Sequence, residues 1–400
     1  MNIGIGFITG RPNVCNIINN YYKKLMRQLK SQNDKIIFYI LYDLKYKNCK
    51  KEDFYHIDKN VENENVSIKY ISTEDIQYTK KELEQQYHLN AEETDLFIGN
   101  GYGRARNTIL YYSLKDKIDY LLFWDDDEYP VACMKRKDEL EWIEQNNLLE
   151  HLKYIDNCDI TVGNRCGYMS PIPYVELGKK IKEEDFKTYI EAVSNEAVSW
   201  EYIKKQMYTD KGITYAKQIK EAKTIKNVGT ENWLLGSGIC LNLTKLSRIP
   251  AFYNPPFARG EDAFFSTWLK NSKIINVPIY HFHDGFLQYT EIMEENYPKC
   301  LQEVSFDNEI EKRFLEASRG WVKYKPLLIY ILERNKYTEK MEEMQEKLQI
   351  SIPKMNKAYE NLNFDCLLQD LKEYSSNVEK HYEEYLKVNE IWNLIKKCFY

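Results

Sequence analysis

Tyr120-Leu121-Leu122-Phe123-Trp124-Asp125-Asp126-Asp127-Glu128-Tyr129-Pro130 joins a run of five apolar residues directly to three aspartates. A short, wholly apolar run reads as a central strand covered on both faces, the usual condition of a strand in a parallel sheet. The carboxylates then stand at the carboxyl end of a buried strand, where open α/β sheets bind their ligands. If the extended backbone continues through the triplet, Asp125 and Asp127 share a face and Asp126 opposes them. Two carboxylates about 6 Å apart at an effective dielectric near 20 repel by roughly 2–3 kcal/mol, a cost that a bound cation reverses. Mg²⁺ or Mn²⁺ takes one or two carboxylates and completes its shell with phosphate and water, so the expected ligand is a diphosphate. The competing reading is a solvated acidic turn ahead of Pro130.

Working outward, Ile3–Thr9, Lys35–Leu41 and Val66–Ile71 read as further buried strands. A helical pattern through Ile17, Ile18, Tyr21, Leu25 and Leu29 separates the first two, which predicts a parallel α/β sheet. Residues 75–93 read as helical, and Ala105, Ile109 and Tyr112 line one face of a helix that opens in Gly99-Asn100-Gly101-Tyr102-Gly103-Arg104-Ala105-Arg106-Asn107. Downstream, the pattern predicts a helix over Leu140–Ile155, a strand over Asp159–Asn164 and a Lys- and Glu-rich helical insertion over about 175–227. The sheet pattern resumes at Trp233–Leu243, followed by a helix from Ala263 and a strand over Ile274–Phe282. Beyond about 290 only helical spacing remains, as in Met341, Met344 and Leu348. The expected organisation is a catalytic domain over 1–290 and a helical C-terminal region over 291–400.

Composition narrows the function without naming it. With 56 basic and 61 acidic residues the 400-residue chain carries a formal charge of −5, which favours neither nucleic acid nor an anionic membrane. The nine cysteines are scattered and form no CxxC pair, against a disulfide framework or zinc ribbon, so a reducing cytoplasm is expected. MNIGIGFITG reads as a first strand, not a signal peptide, and no apolar run approaches a bilayer span. The 33 tyrosines are assigned mainly to background composition.

GYGRARN, YLLFW and DDDEYP together resemble the family 2 glycosyltransferases of the GT-A fold, which carry a G…ARN segment opening a helix, then an apolar strand, then aspartates and a proline. The residues make physical sense without the name: glycine permits close backbone approach, a helix N-terminus favours anions, and arginine offers a forked phosphate donor. The resemblance implies a GT-A, Rossmann-like, mostly parallel sheet flanked by helices, and a hexosyltransferase of bacterial glycan biosynthesis. The donor would be a nucleotide-sugar, expected to be a UDP-sugar, with Mn²⁺ or Mg²⁺ as cofactor. The acceptor would be a glycan, a lipid-linked molecule or a protein.

By the same resemblance Asp125 contacts the donor's ribose or sugar, Asp127 binds the metal, and Asp126 does either. Asp125 also enters the metal set as the other half of the pincer. Gly101, Arg104, Arg106 and Asn107 are donor-binding candidates, with one of the two arginines facing the donor. Arg259-Gly260-Glu261-Asp262 looks like the family's acidic element, which implies Asp262 as general base, Glu261 second, and inversion at the anomeric carbon. Asp262 also reads as a cap for the helix from Ala263. Gly236-Ser237-Gly238 would line the acceptor side, and Trp233 and Tyr253 are sugar-stacking candidates whose alternative is the core.

His283 in the HDG motif matches the family's metal-proximal histidine, while His281 reads as a core residue or half of an HxH zinc pair. Thr9, Gly10, Arg11 and Asn13 after the first strand, and Asp43 after the second, occupy nucleoside-binding positions. Two other readings stay open: a sugar-phosphate nucleotidyltransferase and an inactive, transferase-like scaffold. The terminal IWNLIKKCFY mixes aromatic and basic residues, which leaves homo-oligomerisation or peripheral contact with the inner face of a membrane open alongside simple packing.

Overall fold

Continuous apolar runs set the sheet. The computed structural model describes residues 1–28, 34–45, 47–137, 139–194, 199–305 and 307–399, so Leu29 of the predicted helical face lies outside the described residues. The strands β1 (Asn2–Thr9), β2 (Lys35–Tyr42), β3 (Val66–Ile71) and β4 (Tyr120–Trp124) lie parallel in the order 3-2-1-4. Between them run α1 (Asn13–Gln28), α2 (Thr73–Tyr87), α3 (Ala91–Phe97) and α4 (Tyr102–Lys115). Ile3, Ile5, Leu121, Leu122 and Phe123 are fully buried, each contributing roughly 1.5–3 kcal/mol by leaving water. Capping boxes at Ser72/Asp75 and Asn90/Glu93 fix the starts of α2 and α3.

The chain leaves β1 for β2 on one side and later returns to β4 on the other. The crevice between the ends of β1 and β4 is therefore the sheet's switch point, with Phe7 paired to Trp124 just inside it.

After β4 come β5 (Glu128–Tyr129), β6 (Val131–Arg136), β7 (Glu139–Glu144), α5 (Asn147–Tyr154) and β8 (Ile160–Tyr168). The helix expected over 140–155 is thus half strand: β6 and β7 form an antiparallel ribbon apart from the main sheet, with Cys133 paired to Trp142. Next follow α6 (Glu183–Val193), α7 (Trp200–Asp210), β9 (Ile213–Thr214), β10 (Lys223–Ile225), β11 (Ile239–Asn242), α8 (Glu261–Thr267) and β12 (Ile274–His283). The segment read as a purely helical insertion contributes two strands, β9 on β8 and β10 on β12. The resumed sheet pattern shrinks to β11, which runs antiparallel between β4 and β8, while β12 is parallel to β8. The carboxyl ends of β1, β4, β8 and β12 consequently open on one edge of the sheet.

The C-terminal α9 (Asn308–Leu332), α10 (Tyr337–Ala358), α11 (Cys366–Ser376) and α12 (Val378–Lys396) close over this body. Tyr189 of α6 meets Phe314 and Phe364 in one apolar cluster, so the insertion and the terminal helices share a core. In the final segment Trp392 and Lys396 are turned inward, while Lys397 and Phe399 are exposed. Trp392 is fully buried, and its Nε1 and Lys396 Nζ both donate to the Ile249 carbonyl at 2.8 and 3.2 Å. Those residues are not available to a membrane surface. No helix among the described residues is long and apolar enough to cross a bilayer, and all nine cysteines are free thiols.

Candidate active site

The strand ends at Trp124, and Asp125–Asp127 form a turn closed by Glu128 N donating to the Asp125 carbonyl at 3.3 Å. Strand alternation therefore fails at the triplet. Asp126 and Asp127, not Asp125 and Asp127, form the facing pair, and Arg11 lies between them. Arg11 Nε donates to Asp126 Oδ2 at 3.1 Å, and its Nη2 reaches both Asp126 Oδ1 and Asp127 Oδ2, the latter at 2.9 Å. Thr9 Oγ1 donates to Asp126 Oδ2, and Asn13 Nδ2 to the Asp126 carbonyl at 2.6 Å. The switch-point loop after β1 is thus bolted to the turn after β4.

Asp125 looks the other way. Its amide donates to Ser237 Oγ at 3.0 Å, and that hydroxyl donates to Glu128 Oε2 at 2.5 Å. Glu128 Oε1 pairs with Arg165 Nη2 at 2.5 Å. Asp126 and Asp127 thus share Arg11, while Glu128 has a cation of its own in Arg165. Burial opposes ionisation of Asp127, but Arg11, helped by the charge of Arg313, overrides it and holds the group at about 2. Burial pushes Asp126 up against the pull of Arg11. Burial also pushes Asp125 up to about 7, with Glu128 adding to the push while Arg106 and Arg165 resist it. Glu128 is buried as well, yet Arg165 holds it below the ordinary carboxylate range.

His283 closes the cluster from the end of β12. Its Nδ1 donates to the Tyr168 carbonyl at 2.8 Å, which leaves Nε2 as a bare acceptor 3.9 Å from Asp127 Oδ1. Burial and the charge of Arg165 lower its pKa, keeping the imidazole neutral as a ligand must be. One carboxylate and one neutral imidazole fit a divalent cation that takes its other ligands from phosphate and water. No group of three His, Cys, Asp or Glu side chains among the described residues forms a fuller cage. The HxH zinc pair does not form. His281 is buried in the core, where Trp124 Nε1 donates to its Nδ1 at 3.0 Å and Asn147 packs against the ring.

On the Asp125 side of the turn stand Arg106, whose charge acts on Asp125, and the acidic pair. Arg106 is buried between the rings of Phe123 and Phe252, its Cζ 4.9 and 5.5 Å from their centroids. Its Nε is 3.4 Å from Glu261 Oε1, and a side chain at Gly236 would collide with the guanidinium. Arg104, by contrast, is exposed and donates to the Asp95 carbonyl at 3.2 Å. Of the two arginines in the ARN segment, Arg106 faces the crevice. Asn107 is fully buried and committed to backbone: it donates to the Phe97 and Phe252 carbonyls and accepts from Phe252 N. It is structural, not a donor contact.

The helix α8 starts at Glu261, two residues earlier than expected, with Gly260 at φ +88° as its N-cap, so Asp262 is not a cap. Glu261 is buried. Burial and the neighbouring Asp262 raise its pKa, against the pull of Arg106. Asp262 is only half-buried, its Oδ1 accepting from Ala263 N at 2.9 Å.

The remaining candidates scatter. Gly101 caps α4 at φ +103° on the exposed rim, and Gly10 offers its carbonyl to Cys49 Sγ at 3.5 Å. Asp43 is half-buried beside β1, its amide donating to the Thr9 carbonyl at 2.8 Å. Tyr253 is core, its hydroxyl donating to Glu384, and Trp233 is half-buried against the main apolar cluster. Arg165 and Glu128 were missed, although the arginine within the strand segment ITVGNRCGY is a visible anomaly, and Ser237 of the expected acceptor-side segment lies instead between Asp125 N and Glu128. Arg313 of α9 was missed too; it donates to the Gly285 carbonyl, and its charge helps keep Asp127 ionised.

No protein-family model matches the chain, and no curated protein is detectably similar. Among solved structures, S. aureus TarS 1-349 aligns at 12% identity over 99% of this chain and 90% of that one, with a TM-score of 0.38. The same TarS portion in complex with UDP-GlcNAc gives 0.35 at 12% identity, over 99% and 91% of the two chains. Mouse xyloside xylosyltransferase 1 in its apo form gives 0.28 at 10% identity, over 76% and 96%. At overlays this loose the likeness says nothing of chemistry, which rests on the residues themselves.

Proposed function

We propose that the chain is a glycosyltransferase that moves a sugar from a nucleoside-diphosphate donor to an acceptor hydroxyl with the help of Mn²⁺ or Mg²⁺. The observation that carries this reading is the meeting of Asp127 and neutral His283 beside Arg11, at the switch point of a parallel sheet. Asp127 Oδ1 and His283 Nε2 would hold the cation, which would supply charge to offset that building on a departing diphosphate. Arg165 and Arg313 add fixed positive charge around the same carboxylates and oppose repulsion of an anionic ligand. Thr9, Arg11 and Asp43 line the nucleoside side, and Asp125 faces the donor sugar.

Asp262, the half-buried member of the pair, accepts the proton of the attacking hydroxyl, and displacement from that side inverts the anomeric carbon. Glu261 does not compete for this role because it is buried on Arg106. It positions that guanidinium instead.

The test incubates the protein with Mn²⁺ and a panel of UDP-, GDP- and CDP-sugars and assays both nucleoside diphosphate and pyrophosphate. Release of a nucleoside diphosphate that stops on chelation supports the proposal. Pyrophosphate release shows nucleotidyl transfer instead, and silence across the panel leaves the scaffold reading. Anomeric analysis of the product by NMR checks inversion.

A further inference from the structure

A domain boundary at residue 290 leaves α9 outside the catalytic domain, yet one face of this helix touches both loops of the proposed site. Arg313, Gly320 and Tyr324 are spaced by seven and then four residues, about two turns and one, so they fall on a single stripe of α9.

Arg313 meets the end of β12. Its Nη1 donates to the Gly285 carbonyl, which also accepts from Ser170 Oγ at 3.3 Å, and its guanidinium lies 5.5 Å from the Phe286 ring centroid. Gly285 in turn lies against the His283 imidazole: a methyl group there would stand 2.8 Å from Cε1, the ring carbon between the two nitrogens. The guanidinium is thereby tied to the backbone that borders the proposed cation ligand, and its charge reaches Asp127.

Gly320 and Tyr324 meet the element that carries the proposed base. Arg259 N donates to the Gly320 carbonyl at 3.2 Å, and a methyl group at Gly320 would stand 2.5 Å from Arg259 Cγ. The buried Tyr324 ring covers Gly260, the N-cap of α8, where a methyl group would stand 2.8 Å from Tyr324 Cγ. Packing this close leaves no room for a side chain at either glycine and fixes the helix to the Arg259–Asp262 element. One helix therefore connects the cation pair to the base.

We infer that α9 is part of the catalytic unit, with Arg313 binding the terminal phosphate of the nucleoside diphosphate and Gly320 positioning the Asp262 element. A guanidinium presents a planar fork of N–H donors that suits phosphate oxygens, and this one borders the side chains proposed to hold the cation. The inference rests on the transferase reading of the site and adds to it a phosphate-binding residue and a boundary: the catalytic unit extends through Leu332.

The test measures calorimetric affinities of the full-length protein, with Mn²⁺ present, for UDP, GDP and CDP and for the matching monophosphates, alongside sugar transfer by the same samples. Arg313→Gln, Arg313→Lys and Gly320→Ala are compared with the parent. The expected result is a loss of at least about ten-fold in diphosphate affinity for Arg313→Gln, largely restored in Arg313→Lys, with monophosphate affinity within about two-fold of the parent. Gly320→Ala, which crowds Arg259, should keep both affinities within about two-fold and lower kcat about ten-fold. Diphosphate affinity unchanged in Arg313→Gln, or monophosphate affinity lost to the same degree, overturns the phosphate contact. An unchanged kcat in Gly320→Ala, or kcat and affinity falling together, overturns the positioning role. A parent that binds diphosphate through Arg313 but transfers no sugar counts against the transferase reading, and with it the role of Gly320, and leaves the Arg313 contact standing. Transfer by a parent whose diphosphate affinity ignores Arg313→Gln does the reverse, and a parent that binds no nucleotide overturns both.

Discussion

Two acidic clusters, linked by the charge of Arg106, solve the same problem differently. In Asp125–Glu128, neighbouring carboxylates are tolerated because two cations serve them: Asp126 and Asp127 share Arg11, and Glu128 pairs with Arg165. In Glu261–Asp262 there is one cation, Arg106; Glu261 takes it in the interior, and Asp262 is left half-open. Adjacent acids of identical composition thus acquire separate duties from burial and partner. The first cluster is built to hold charge still, the second to leave one carboxylate available.

The largest expected effect falls on the first cluster. Asp127→Asn removes the carboxylate of the proposed cation site but leaves Asp126 to pair with Arg11, so the fold should persist. Transfer is expected to drop by about 10⁴-fold, the equivalent of roughly 5 kcal/mol of barrier, and Mn²⁺ should no longer raise the melting temperature. A variant that keeps metal-dependent stabilisation would show that the ion sits elsewhere.

The second cluster should split where the first does not. Asp262→Asn is expected to lower transfer by about 10²–10³-fold while nucleotide affinity and melting stay near those of the parent. Glu261→Gln should do the reverse: it leaves a buried guanidinium without its counter-charge, costing about 1–3 kcal/mol of stability, with the smaller loss of rate. Rate loss concentrated in Glu261→Gln and spared in Asp262→Asn would exchange their roles.

The contrast also marks what could be read in advance. The parallel strands were legible because wholly apolar runs such as YLLFW have few alternatives to burial on both faces. The triplet's place at a strand end followed from that. Its internal geometry did not, because the backbone turns at Asp125 and cancels the alternation that would have paired Asp125 with Asp127. The ribbon β6–β7 was hidden because Leu140, Trp142 and Ile143 run straight into the helical spacing of Leu148, Leu149 and Leu152. Arg165 could not be tied to Glu128, since their meeting depends on β5 and β8 flanking β12. Asn107 looked like part of a donor motif, and only the position of Phe252 revealed its structural use.

The smallest effect asks which groups govern acid stability behind the first cluster. Asp127, at about 2, stays ionised through mild acid and contributes little change there. Asp125, raised to about 7, binds its proton more readily in the folded state, so its share of stability grows as pH falls through 7. His151 acts in the opposite sense. It is fully buried on α5, its Nδ1 is 2.7 Å from Thr161 Oγ1, and burial lowers its pKa from 6.5 to about 3. Below pH 6.5 the unfolded chain takes up a proton that the folded chain refuses, so stability is lost as pH falls, by about 2 kcal/mol at pH 5. His151→Gln keeps a side chain able to bond Thr161 but does not titrate. Urea midpoints of parent and variant, compared at pH 7.5 and 5, should therefore diverge by about that amount in favour of the variant at the lower pH. Parallel pH dependences would mean that the imidazole is protonated in place, and that the acid limb belongs to the carboxylates after all.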